Sequence, residues 1–131
     1  MTHETFNEKI TFIRNVSLDV LLRRNARYSQ SDDALHNFIR GAAFTNSTPA
    51  KAAFGYMTKH LVALADKIQN NDFSDMDDLV EKCTDIINYT AIIFAIGCEE
   101  NAKYNWTHDA CAAEQAPLFS VPPRFFEEDN E

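Results

Sequence analysis

Apolar side chains recur along this chain at steps of three and four residues, the period of an amphipathic helix. Phe6, Ile10, Ile13, Val16 and Val20 make the first such row. Ahead of it, Thr5-Phe6-Asn7-Glu8 reads as a capping box, in which hydroxyl and carboxylate satisfy orphan N–H groups. A first helix over 5–27 follows, and Arg23, Arg24 and Arg27 at its end complement the negative end of the helix dipole. Tyr28 to Asp33 reads as a loop, with Ser31 or Asp32 capping a shorter helix over 33–43 that carries Leu35, Phe38 and Ile39. Thr48-Pro49, a cap followed by proline at the first helical position, starts a third helix over 49–69. It presents Phe54, Met57, Leu61, Leu64 and Ile68, and Asn70-Asn71-Asp72 stops it. Ser74 begins a fourth helix over 75–96, with Leu79, Val80, Cys83, Ile86, Ile87 and Thr90 as its inner face. From Ala91 to Ala95 that helix is apolar all round, which predicts cover on several sides or a subunit interface. Gly97 is its expected C-cap.

Beyond this point the period fades. Thr107 is expected to cap a short helix through Ala113, Pro117, Pro122 and Pro123 oppose regular helix, and Glu127 to Glu131 reads as a solvated acidic end. The expected fold is all-α: a four-helix bundle-like domain over 1–98 with an irregular acidic C-terminal extension over 99–131. Only 3 glycines and 4 prolines in 131 residues agree with long helices rather than many tight turns.

Charge narrows the choice of partners. The net charge is −8, but residues 1–72 hold nine Lys/Arg against seven Asp/Glu, and residues 73–131 hold three against thirteen. Such a chain repels a nucleic-acid backbone, which excludes DNA or RNA polymers as general partners. The more basic first half leaves room for a small phosphorylated ligand. Cys83, Cys98 and Cys111 are odd in number and form no CxxC pair, so neither a zinc site nor a disulfide framework is indicated. Met1 to Glu4 is polar, Asp19 interrupts the first apolar stretch, and the apolar run Ala91 to Gly97 is too short to span a bilayer. The expected address is the cytoplasm, that of the host if the chain is phage-encoded, with no membrane partner.

Two polar stripes carry the candidate chemistry. Asp78, Glu81, Asp85 and Asn88 lie at steps of three and four on the fourth helix, and Tyr56, Lys59, Asp66 and Asn70 form a stripe on the third. Glu81 and Asp85, one turn apart, are the arrangement by which Mg²⁺ is held together with substrate phosphates. The alternative is that the acids merely mark the wet side of an amphipathic helix. His60 lies between the apolar and polar faces of the third helix, a common place for a partly buried structural histidine. No Ser/His/Asp order, glycine-rich phosphate loop or Walker pattern is present.

Several blocks occur in a definite order: Tyr28-Ser29, Asp32 to Phe38, Thr48-Pro49, Gly55 to Val62, and Glu81 to Tyr89. In this the chain resembles, over roughly residues 15–96, a phage and prophage family of small helical proteins, the nucleotide modification associated domain of type one. That family is similar to the MazG-like all-α nucleotide pyrophosphohydrolases. The resemblance implies a helical bundle that forms a homo-oligomer and handles nucleotides. In the enzymes, carboxylates on two helices hold Mg²⁺, which bridges phosphates and helps activate a water. Glu81 and Asp85 match the second acidic pair, whereas no ExxE stands on the first or second helix. Arg27 stands where the family places an acid before the loop tyrosine, a phosphate-binding cation in place of a metal ligand.

The expected ligand-binding set is Arg24, Arg27, Lys59 and His60 towards phosphate, Tyr28 or Phe38 stacked on a base, and Asn37 and Asn88 beside them. Against this stands the reading in which the arginines cap the first helix and the aromatics are core. Three functions stay open at this stage. The leading one is a phage-type binder of a nucleotide or cyclic-nucleotide signal, sequestering it to counter bacterial defence. A Mg²⁺-dependent (deoxy)nucleoside triphosphate pyrophosphohydrolase is the second. A protein–protein adaptor that uses the tail from Phe119 to Phe126 is the third.

Overall fold

The structure, a computed structural model, describes residues 1–28 and 33–107, without the side chains of Arg27 and Tyr28. Four helices follow one another: α1 (His3–Tyr28), α2 (His36–Phe44), α3 (Pro49–Gln69) and α4 (Met76–Glu100). The described residues hold no strand, and the all-helical expectation stands. By contacts the chain divides into two units, Met1–Gly97 and Cys98–Glu131, and everything that follows on packing concerns the first.

The helix ends show which caps win. α1 starts earlier than the capping box at Thr5 predicts, because Thr2 takes that role: its Oγ1 accepts from the Thr5 N–H at 3.1 Å. Asp33 prepares α2, its Oδ1 accepting from the Leu35 N–H at 2.9 Å in an Asx turn, whereas the alternatives Ser31 and Asp32 lie outside the described residues. Thr48 caps α3 as expected, accepting from the Lys51 N–H at 3.3 Å with Pro49 next to it. Asn71 ends α3 by turning into the left-handed region at φ 50°, which asparagine tolerates better than most residues. Asp75, not Ser74, caps α4: its Oδ1 accepts from the Asp78 N–H at 3.0 Å, while the Ser74 hydroxyl turns back to Asp72 at 2.7 Å. Gly97 is no C-cap, since no glycine has a positive φ and the helix continues through it to Glu100. The expected helix from Thr107 to Ala113 lies outside the described residues past Thr107.

Packing is uneven. α2 and α3 are the closest-packed pair of helices. Among the described residues the buried apolar side chains are few, two of them alanines: Ala42, Ala53, Met57 and Ile96. As many polar ones are buried: Ser17, Thr84, Asp85 and Asn88. Much of the predicted core face is only half-covered, and Phe54 and Ile68 are 54% and 60% exposed, because the covered side of α3 is centred on Ala53 and Met57. Ser17 satisfies its hydroxyl within α1, donating to the Ile13 carbonyl at 2.7 Å.

Contacts between α3 and α4 therefore rely on side-chain chemistry. Lys67 of α3 reaches Asp78 of α4 at 2.7 Å, and Lys82 joins the same carboxylate at 2.9 Å. The hydrogen bonds from Lys67 and then Lys82 hold the Asp78 carboxyl below its ordinary value and raise both lysines. A depressed carboxyl adds stability above its unfolded value, near about pH 3.9, and that stability is lost as pH falls through the folded value. The raised lysines add stability that is lost only as pH rises through their folded values. Asp78→Asn should therefore melt below the wild type at neutral pH, with the gap closing in acid. Thermal denaturation followed by circular dichroism across acid and neutral pH checks this, and a gap independent of pH would refute it.

Candidate functional site

One carboxylate of unit 1 is almost wholly buried. Asp85 lies on α4 with its side chain 5% exposed, and both its oxygens are engaged. Arg24 of α1 donates from Nη1 to Oδ1 at 2.9 Å, and His60 of α3 meets Oδ2 through Nδ1 at 3.3 Å. A buried carboxylate is costly unless paired and hydrogen-bonded, and these two partners come from different helices. His60 is only 12% exposed and stacks on Tyr89 with ring centroids 5.8 Å apart. Tyr89 meets Tyr56 at 6.5 Å, and Tyr56 meets Phe38 at 6.0 Å, so a run of aromatic rings crosses from α4 through α3 to α2. Burial pushes the Tyr89 phenol above its ordinary value; Asp85 adds to the rise and Arg24 opposes it.

This cluster borders a cavity of about 680 Å³, within the range of small-molecule sites. α1 supplies Leu21, Leu22, Arg24 and Asn25 to its walls. Leu35, His36, Asn37 and Phe38 come from the start of α2, and Tyr56 from α3. Asp85, Asn88, Tyr89, Ile92 and Ala95 descend one face of α4 at steps of three and four. Asn88 stands out chemically. It is 6% exposed, and its Nδ2 has no hydrogen-bond partner. One turn before it, the Thr84 Oγ1 is likewise buried without a partner. An unmade bond at a buried polar group costs roughly 1–3 kcal/mol.

The structure brings Arg24, Asn37, Phe38, Asp85 and Asn88 of the expected set together on the cavity. His60 stands behind the wall, on Asp85 and Tyr89. Lys59 and Glu81 are exposed and do not line the cavity, so Glu81 and Asp85, one turn apart, differ sharply in surroundings. Arg27 and Tyr28 have side chains outside the described set. Among the described residues, no group of three or more His, Cys, Asp or Glu is arranged to hold a metal ion. Asn25, His36 and Tyr89 were not singled out from sequence. Tyr89 had a signal, since it shares the face of Asp85 and Ile92, but steps of three and four do not tell a cavity wall from core.

No protein-family model, curated protein or solved structure matches this chain.

Gly41 makes one of those residues possible. A Cβ built at Gly41 would collide with the Tyr56 hydroxyl, so the absent side chain is what lets the phenol lie against α2. Gly41→Ala should add about 0.5–1 kcal/mol of helix propensity yet push Tyr56 off its place beside Phe38 and Tyr89. The expected result is an unchanged far-ultraviolet spectrum with an altered tyrosine signal in near-ultraviolet circular dichroism. An identical near-ultraviolet spectrum would show that the ring does not depend on Gly41.

Proposed function

We propose that the chain binds a nucleotide, with cyclic nucleotides included, in the cavity between α1, α2 and α4, and that it binds without turnover. The observation that carries this reading is a cavity of about 680 Å³ whose wall joins Phe38, Tyr56 and Tyr89 to Arg24 and Asn88. Aromatic faces beside a cation suit a nucleotide, since every base has a π-face that stacks on a ring. Arg24 adds a cation whose side chain is 54% exposed and whose guanidinium uses Nη1 on Asp85, leaving donors for a phosphate oxygen. Binding without turnover is supported by the engagement of both Asp85 oxygens with Arg24 and His60, which occupies the carboxylate a metal would need. Sequestration of a nucleotide signal, as a phage-type counter to bacterial defence, is a use that needs a pocket and no chemistry.

A panel of nucleotides in thermal denaturation, with and without Mg²⁺, tests the reading. A ligand at 100 times its Kd should stabilise the native chain by about 2.7 kcal/mol. Arg24→Ala should weaken binding by about 1.5–3 kcal/mol, the range for a hydrogen bond to a charged group. No pyrophosphate should appear with Mg²⁺ or Mn²⁺. Steady pyrophosphate release by the wild type, lost in Asp85→Asn, would establish hydrolysis instead.

The binder is also proposed to be a homo-oligomer. α1 is 26 residues long, about 39 Å at 1.5 Å per residue, yet Ser17 is its one buried residue among those described. Phe6, Phe12 and Leu18 on α1 are all more than half exposed. A second copy would cover such surface, and closed symmetry is the usual solution. Light scattering at micromolar concentration should give a multiple of 14.9 kDa, and a monomer mass would count against it.

A further inference from the structure

On the exposed side of α1 one two-residue unit occurs twice, with the sign of its charge reversed. Leu18-Asp19 is followed one turn later by Leu22-Arg23. That spacing sets the two leucines on one stripe of the helix and the two charged residues on a second stripe beside it. Leu18 and Leu22 are 56% and 58% exposed, although Leu22 also stands in the cavity wall. Asp19 and Arg23 are exposed as well and pair with each other. An exposed ion pair contributes little to the stability of a single chain. Leucines that stay more than half in water likewise gain little from folding. Within one copy, then, the repeated unit has almost nothing to do.

Under a twofold axis the unit is its own complement. An isologous interface uses the same patch on both copies, with residue i on j and j on i. A second α1 running antiparallel, related by an axis between Val20 and Leu21, places Leu18 of one copy on Leu22 of the other. The same axis sets the charged stripes on one side of the joint, so that Asp19 meets Arg23, and each contact occurs twice. A parallel pair would instead set Asp19 against Asp19 and Arg23 against Arg23, where like charges repel. A reversal of sign between two otherwise equal units serves a partner that carries the same reversal. Charge complementarity thus selects a second copy of this chain as the occupant of the stripe.

We infer that two copies of this chain associate through an antiparallel α1–α1 seam, with reciprocal Leu18–Leu22 and Asp19–Arg23 contacts about a twofold axis between Val20 and Leu21. This rests on the homo-oligomer reading above and gives it a surface and a direction. Leu22 belongs both to the seam and to the cavity wall, so Leu18 of the second copy lies at the α1 edge of the cavity.

Charge reversal separates contacts between copies from contacts within one. Light scattering should be run on the full-length wild type, on Asp19→Arg, on Arg23→Asp and on an equimolar mixture of the two variants, with far-ultraviolet circular dichroism as a check on folding. Asp19→Arg makes the charged stripe wholly cationic and Arg23→Asp makes it wholly anionic. Each variant should therefore repel its own copies, and its mass should fall to half that of the wild type at the same concentration. Mixing the two should restore the wild-type mass, because a cationic stripe then faces an anionic one. Within each variant the two charges remain alike, so this recovery requires a contact between copies. It should weaken as salt is added. Leu18→Gln, at an exposed position outside the cavity wall, should also lower the mass. A monomeric wild type overturns the seam together with the homo-oligomer reading. A wild-type oligomer whose mass survives both reversals, or variants that stay dissociated when mixed, overturns the seam alone. Where a reversal fails to fold, Leu18→Gln decides, and an unchanged mass overturns the seam.

Discussion

Asp85 ties three helices to one another, and most of what is distinctive in the structure follows from its burial. A carboxylate that is 5% exposed must find partners, and it finds Arg24 on α1 and His60 on α3. Removing one partner of a buried pair costs more than the pair contributes, because the remaining charge stays buried. The tie thus acts as a constraint on geometry as much as a source of stability. It fixes the turn of α4 on which Asn88 and Tyr89 stand. It also brings Arg24 to the edge of the cavity.

Around that tie the usual apolar core is thin. Ala42, Ala53, Met57 and Ile96 are buried, while Leu21, Leu22, Ile92 and Ala95, the residues through which α1 and α4 could have met, line a hollow of about 680 Å³. Tightly packed interiors leave few voids larger than a water molecule, so a hollow of this size is the counterpart of a site. Stability given up there has to come from elsewhere. In part it comes from the Lys67–Asp78–Lys82 cluster at the other end of α3 and α4, and a second copy on the exposed faces of α1 and α4 would add more.

How much of this the sequence discloses depends on the range of the interaction. Local signals read well: Thr48-Pro49 starts α3 and Asn70-Asn71 ends it, because caps and turn residues act within a few positions. Where two local candidates compete, sequence cannot rank them, as with Thr2 against Thr5 and Asp75 against Ser74, since both hydroxyls and carboxylates can accept the same N–H. Gly97 misled because glycine ends a helix only when it turns left-handed, and here it does not. The polar residues of α4 recur at steps of three and four, yet Glu81 is exposed while Asp85 and Asn88 are buried. Cover varies along the axis of the helix as well as around it, and which level is covered depends on where α1 and α3 cross. No period in the sequence carries that information.

The two duties of Arg24 decide whether the open middle and the tie can coexist. A lysine in this place would bring a single ammonium, and a phosphate would compete with Asp85 for it. A guanidinium has five N–H donors in a fixed plane. Its bond to Asp85 runs from Nη1, and more than half of the side chain stays exposed. Arg24 can therefore hold α1 to α4 and meet an anion without leaving Asp85, so ligand binding need not loosen the joint that shapes the site. For the proposed nucleotide ligand, the contact that holds the helices together is thus also the one that positions the cation.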